Sequence, residues 1–404
     1  MRRRLVVGGA LAALLVLMVA TTPSAAAAPS GRTGSYIVVL EGTASSGAQA
    51  RAHASRYGAK VAHVYRHALN GYSAMVSTDR LAALKADPNV AAVVPDLTLH
   101  AFAQTLPTGI DRIGGELSST VSGNGGGVVN VDVAVIDTGI ASHPDLDVVG
   151  GVNCVGGSSF NDDNGHGTHV AGTVAARDDA DGVVGVAPGA RLWAVKVLNS
   201  AGSGTTSQIV CGIDWVTARA GTIDVANMSL GGQSPFGSIS GCNSSFDPMH
   251  RAICRSVGAG VTYAVAAGNS AANANNFVPA TYAEVITVSA LADFNGQPGG
   301  GAPSTCRADV DDTFANFSNF GADVDLIAPG VCILSTYPGG FSTISGTSMA
   351  SPHVAGAAAL YKAGNPGATP AQVKAALQSA GNLNWNDADD PDPTKERLLD
   401  VDAF

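Results

Sequence analysis

Val131-Asp132-Val133-Ala134-Val135-Ile136-Asp137-Thr138-Gly139 is the stretch that decides the fold. A run of mostly apolar, β-branched residues passes directly into an aspartate, a threonine and a glycine. That is the pattern of a buried parallel strand delivering a carboxylate to the carboxyl edge of a sheet. Working outward, residues 191–198, 223–230, 261–266 and 285–289 read as further strands, and 208–220 and 250–259 between them carry helical spacing. Strands that alternate with helices predict a doubly wound α/β domain, a parallel sheet with helices on both faces. The loops leaving the carboxyl ends of such a sheet converge on a ligand, so Asp137 stands where chemistry is expected.

Two other segments hold the groups such a carboxylate would serve. Gly346-Thr347-Ser348-Met349-Ala350-Ser351-Pro352 sets a serine among small residues at the start of an apolar helix that runs on through His353 to Leu360. A serine hydroxyl is a poor nucleophile until a base takes its proton, and the free N–H groups of a helix N-terminus steady the negative charge that attack creates. Asn164-Gly165-His166-Gly167-Thr168-His169-Val170-Ala171-Gly172 supplies a glycine-flanked histidine opening a small-residue helix. A fourth piece is the strand 261–266, which continues through Ala267 and Gly268 to Asn269. Taken singly, these are a cap, a surface histidine and a strand exit. All of them at the ends of apolar runs make a site.

With Asp, His and Ser in that order, and with matching residues around each, the chain resembles the subtilisin-like serine proteases, in particular their proteinase K-like branch. The resemblance implies Ser348 as nucleophile, His166 as general base and then acid, and Asp137 as the group that fixes the imidazole. It implies Asn269 as oxyanion donor beside the backbone N–H of Ser348. Ser229-Leu230-Gly231 resembles the strand that pairs with an extended peptide substrate. Ala266, Ala267 and Gly268 would line the first specificity pocket with small uncharged walls, giving a broad, small or apolar preference. No cofactor is implied for catalysis. By similarity to the same branch, the carbonyls of Ala283 and Val285 and the carboxylate of Asp325 would surround a structural Ca²⁺. His169 follows His166 at His-x-x-His spacing, but the glutamate of a zinc-protease His-Glu-x-x-His is missing, so His169 is expected to pack structurally. Two other classes of function stand beside the protease: a metal-dependent hydrolase using Asp137, His166 and His169, and a binding protein without turnover.

The amino end agrees with export. Arg2, Arg3 and Arg4 precede the apolar residues 5–20, and small residues follow at 24–28, so 1–28 reads as a secretory signal peptide and not a membrane anchor. Residues 29–101 give strand, helix, strand, strand, helix and strand patterns at 36–40, 48–57, 62–65, 71–76, 79–86 and 90–94, the split order of a ferredoxin-like α+β domain. Leu69-Asn70-Gly71-Tyr72-Ser73-Ala74 and Asp87-Pro88-Asn89-Val90 in it resemble the inhibitory propeptide of the same proteases. The catalytic domain would then be 102–404, released by a cut at Ala101 or Ala103.

From Phe102 onward the chain has 12 Lys/Arg and 28 Asp/Glu, a strongly acidic balance that disfavours nucleic acid as a partner. The expected partners are protein or peptide substrates and the chain's own propeptide, around a secreted, extracellular monomer. The 6 cysteines all lie in the catalytic part. In an exported chain they suggest three disulfides, and proximity favours Cys154 with Cys211, Cys242 with Cys254 and Cys306 with Cys332. Residues 296–313, rich in Gly, Pro and Asp, read as an inserted loop.

Overall fold

The structure is a computed structural model that describes residues 33–42, 44–96, 104–234, 241–242 and 246–404. The expected signal peptide and the expected cut at Ala101 or Ala103 lie outside these residues. The chain divides between His100 and Ala101 into two compact units.

In the first unit the elements follow the expected order: Thr33–Leu40, helix Ser46–Tyr57, Lys60–Tyr65, Gly71–Ser77, helix Thr78–Lys85 and Val90–Pro95. The four strands form one antiparallel sheet in which Gly71–Ser77 and Val90–Pro95 flank Thr33–Leu40. Val38, Tyr72, Val76 and Leu84 make its core. Three strands and a helix packed on one apolar face suffice for a small domain to hold together.

The second unit is built on an eight-stranded sheet. Val148–Asn153, Arg191–Lys196, Asp132–Asp137, Val225–Met228, Thr262–Ala266, Ile286–Ala292 and Leu326–Pro329 lie side by side and parallel. The short Thr313–Phe314, within the loop region after 292, pairs antiparallel with Ile286–Ala292. The strand order turns back on itself around Asp132–Asp137, which puts the carboxyl end of that strand at the topological switch point. Its side chains alternate as a strand's must. Val133 and Val135 enter one core with Val170, Val174 and Val354, while Ala134 and Ile136 enter the other with Ile213, Val216 and Ile253. Each face of the sheet is covered by helices, so both alternating sets are apolar and the strand reads as an unbroken hydrophobic run.

The helices His166–Ala175 and Thr347–Gly364 share the first of these cores. Both are rich in Gly and Ala, and a Cβ on Gly356 would come within 2.5 Å of Val186 Cβ, so the packing needs the small residue. On the opposite face, Thr206–Thr217 starts with a complete capping box between Thr205 and Gln208, and Pro248–Gly258 starts with the Asp247 carboxylate accepting from Met249 N–H.

The three disulfides pair as proximity favoured: Cys154 with Cys211, Cys242 with Cys254 and Cys306 with Cys332. The 296–313 loop is organised by carboxylates. Asp311 and Asp312 accept from the N–H groups of Phe294, Ala302 and Gly299, and Arg112 bridges Asp293 at 2.9 Å and Asp312 at 2.6 Å. Among the described residues no helix is long and apolar enough to cross a membrane.

Candidate active site

Asp137 ends its strand fully buried. Its Oδ1 accepts from the Thr138 N–H at 2.7 Å and lies 2.8 Å from Nδ1 of His166. His166 is the first residue of its helix, and the turn that places it is tightly specified. Gly165 has φ +109°, and a Cβ there would come within 2.2 Å of the Tyr337 ring. Asp162, which no motif marks in the sequence, anchors the same turn. Its carboxylate accepts from the N–H groups of Asn164, Gly165 and Thr168 and from the hydroxyls of Thr138 and Thr168. Burial works to raise the Asp162 carboxyl, but these donors outweigh it and hold it below the usual carboxylate range.

For His166, burial works to lower the imidazole, yet the Asp137 charge and hydrogen bond, with Asp162 behind them, prevail and raise it above its ordinary 6.5. His169 goes the other way. It is fully buried, its Nε2 lies 3.0 Å and 3.1 Å from the carbonyl oxygens of Ile333 and Ser342, and burial pushes it down to about 4. A neutral ring donating to carbonyls is structural packing, not a metal ligand facing a site.

Ser348 occupies the first turn of the helix Thr347–Gly364. Its hydroxyl donates to the Ser229 carbonyl at 3.2 Å, and the Ser229 hydroxyl donates back to the Ser348 carbonyl at 2.7 Å. Ser229 in turn lines a groove of about 360 Å³ together with Thr138, Asn164, His166, Leu198, Leu230 and Gly231. The structure therefore places His166 and the 229–231 segment on one groove, and ties the Ser348 turn to that groove through Ser229. Ser229, Leu230 and Gly231 run on past the end of Val225–Met228, toward the short antiparallel pairing of Gly232–Gln233 with Phe277–Val278.

Asn269 caps the Ser348 helix from outside. Its Oδ1 accepts from the Thr347 N–H at 2.8 Å and the Thr347 hydroxyl at 2.9 Å. Because those donors need an acceptor, the amide orientation is fixed, and Nδ2 is turned outward as a donor. A methyl group built on Gly346 would stand 3.4 Å from Asn269 Nδ2 and 3.6 Å from the Ser348 backbone nitrogen. The Asn269 side-chain nitrogen and the Ser348 backbone nitrogen thus border the same small space beside Gly346.

The loop bearing Asn269 is held by Asn319, which no motif or spacing marks. Asn319 is fully buried, donates to the Ala267 carbonyl at 2.8 Å and accepts from Ser270 and Ala272 N–H at 3.0 Å and 3.2 Å. Gly268 N–H reaches the Thr347 hydroxyl at 3.1 Å, which brings the 266–268 segment beside the Ser348 turn. Ala266 is buried, and Ala267 turns its methyl into a small core with Ala274, Ala280 and Val324, so any pocket there is walled by the Ala267 backbone.

The expected Ca²⁺ site is corrected. Ala283 O, Val285 O and the Asp325 carboxylate do gather, but around a lysine. Lys374 Nζ donates to the two carbonyls at 3.2 Å and 2.8 Å and pairs with Asp325 Oδ2 at 2.7 Å. An ammonium group already fills the place of the cation and satisfies the three oxygens, so these residues do not fit a metal ion.

A family model described as the subtilase family matches residues 129–395, and one described as peptidase inhibitor I9 matches residues 35–102. Subtilisin DY of Bacillus licheniformis is 46% identical over 288 residues, spanning 70% of this chain and 93% of that protein. Subtilisin E of Bacillus subtilis (strain 168) is 40% identical over 360 residues, 87% of this chain and 86% of its own. A crystal structure of a cold adapted subtilisin-like serine proteinase aligns with a TM-score of 0.58 at 36% identity, covering 73% of this chain and 97% of its own.

Proposed function

Because the chain belongs to the subtilase family and is a serine endopeptidase with an amino-terminal I9 inhibitor domain, we propose that Asp137, His166 and Ser348 form its catalytic triad. The observation that carries the reading is the 2.8 Å contact between Asp137 Oδ1 and His166 Nδ1, which leaves Nε2 of a basic imidazole toward the groove that Ser229 shares. In the attack step the Ser348 hydroxyl turns from the Ser229 carbonyl to His166 Nε2. It gives up its proton there and bonds to the scissile carbonyl carbon. The carbonyl oxygen takes the negative charge and accepts from Asn269 Nδ2 and Ser348 N–H. Collapse of this intermediate expels the amine, which leaves with the proton from His166, and an acyl-enzyme remains on Ser348. Water activated by the same imidazole then releases the acid. Every group in this sequence is an amino-acid side chain or backbone N–H, so no cofactor takes part.

Ser229, Leu230 and Gly231 would hold the substrate as an extended strand, with Ala266, Ala267 and Gly268 allowing small or apolar side chains next to the scissile bond. The enzyme would be exported behind the 1–28 signal as a monomeric zymogen without a membrane anchor. Its 29–101 segment would inhibit the 102–404 domain until a cut at Ala101 or Ala103.

A fluorophosphonate probe tests the triad directly, since an activated serine attacks its phosphorus, displaces fluoride and is left phosphonylated. The expected result is one modified peptide carrying the label on Ser348, with labelling lost in His166→Ala. Label on another residue, or none on a chain that cleaves peptide, refutes the assignment.

A further inference from the structure

The central strand Val225–Met228 carries an amide where a strand covered on both faces calls for an apolar side chain. Asn227 lies between Ala226 and Met228, is paired through its backbone with Ala264 on one side and Val135 on the other, and is fully buried. Burying an amide costs free energy unless its polar atoms find partners. Both ends of this one find them around the Ser348 turn. Oδ1 accepts from the Ser351 hydroxyl at 2.7 Å, and Nδ2 donates to the Ser229 hydroxyl oxygen at 2.9 Å. That hydroxyl in turn donates to the Ser348 carbonyl at 2.7 Å. With its proton committed there, the Ser229 oxygen can only accept, and this fixes which way the Asn227 amide points.

The helix itself makes the Ser348 carbonyl available. In a regular helix it would accept from the N–H four residues on, but that residue is Pro352, which has none. Ser229 supplies the missing donor. Ser351 stands on the same helix one turn after Ser348, so the bonds from Ser351 to Asn227, Asn227 to Ser229 and Ser229 to Ser348 close a ring. All three run in one direction, and hydrogen bonds so aligned strengthen one another. Asn269 holds the preceding residue through the Thr347 N–H and hydroxyl. Ser348 is thereby tied down both before and after its Cα. Rotation of its side chain, from the Ser229 carbonyl toward His166, is the freedom left to it.

We propose that Asn227 is a positioning residue for peptide cleavage, holding the Ser348 backbone through Ser229 and Ser351 where the hydroxyl can attack. Fully buried, it reaches the reaction only through these two serines. The proposal rests on the triad reading, and its expected size follows from alignment, since a misplacement of about 1 Å in the reacting groups costs about 10²-fold in rate.

The test compares the unaltered enzyme with Asn227→Leu, which keeps most of the volume without the polar atoms, and Ser351→Ala, which removes one hydroxyl from an alanine-rich helix. Rates on a peptide substrate are divided by the amount of Ser348 that a fluorophosphonate labels to completion, so that unfolded or uncut chains do not count. Asn227→Leu should lower kcat by roughly 10²-fold and Ser351→Ala by roughly tenfold, with KM held within about twofold. The pH half-point of kcat/KM should not move in either, because the Asp137–His166 pair is left alone. The double variant should lose no more than Asn227→Leu alone, since both residues act in one ring. Ser351→Ala decides the matter if Asn227→Leu does not fold. A lower melting temperature with kcat per labelled site unchanged would show a purely structural role and overturn the proposal, as would a loss confined to KM or losses that multiply in the double variant. Absence of label on Ser348 in the unaltered enzyme refutes the triad itself, whereas full labelling with unchanged kcat refutes the role of Asn227 alone.

Discussion

At the scale of single residues, the Asn269 amide illustrates how a side chain is made ready before substrate arrives. Its oxygen is bound to the backbone N–H and the hydroxyl of Thr347, which fixes the amide so that its nitrogen would serve the proposed oxyanion without rearrangement. Asn269→Ala should therefore lower kcat while leaving KM nearly unchanged, by about 10² to 10³, the size found for the corresponding donor in subtilisin. Steady-state kinetics on a peptide substrate checks this, and a loss confined to KM would contradict it.

His166 gives a pH prediction. Asp137 raises the imidazole above 6.5, and only the neutral ring can accept the serine proton, so kcat/KM should climb with pH to a half-point above 6.5. The associated stability runs the opposite way. A raised pKa stabilises the fold fully below the unfolded value of 6.5 and loses that contribution as pH passes the folded value. An acid limb centred at or below 6.5 would contradict the assignment. The Asp137–His166 pair, and Ser348 proposed to act with it, could be picked from the sequence because each sits where an apolar run meets small residues. Asp162 and Asn319 could not, since an acid or amide that organises a loop has no periodicity and no distinctive neighbours.

At the scale of elements, five of the eight strands of the main sheet were readable because apolar runs and helical spacing are local properties, while Val148–Asn153, Thr313–Phe314 and Leu326–Pro329 were not expected. The five strands expected in the second unit all occur, with ends shifted by a few residues where pairing partners and not composition set the limit. Long-range partners are harder. The sequence reading placed Ala283, Val285 and Asp325 together but could not supply Lys374, whose ammonium reaches Val285 across 89 positions from another helix. Lys374→Ala removes the donor from two carbonyls and the counter-charge from Asp325, which is 14% exposed, and should cost about 1–3 kcal/mol. The three oxygens left behind form a better cation site than before. The gain in melting temperature on adding Ca²⁺ should accordingly be larger in Lys374→Ala than in the unaltered chain. Equal gains would show that these oxygens do not act as one site.

For the whole molecule, the two-unit organisation was legible in the repeated strand–helix order of the first unit and in the uneven charge, with 10 Lys/Arg and 4 Asp/Glu before Phe102 against 12 and 28 after it. Three of those 10, Arg2, Arg3 and Arg4, fall in the expected signal peptide, so 29–101 itself carries 7 Lys/Arg and 4 Asp/Glu, a modest positive balance against an acidic 102–404. Because the I9 domain and the subtilase domain share one chain, the activating cut between them is expected to be made by the enzyme itself or by a second copy. If Ala266, Ala267 and Gly268 wall the first specificity pocket as proposed, a small residue should precede the scissile bond, and Ala101 and Ala103 are the small residues nearest the division between the two units. Ser348→Ala should therefore accumulate as an uncut chain that retains residues 29–101, and trace active enzyme added in trans should convert it. Amino-terminal sequencing of the converted and of the natural product should begin within residues 101–105. A start well outside that window refutes the site, and normal processing of the Ser348→Ala chain alone refutes self-cleavage together with the nucleophile on which it depends.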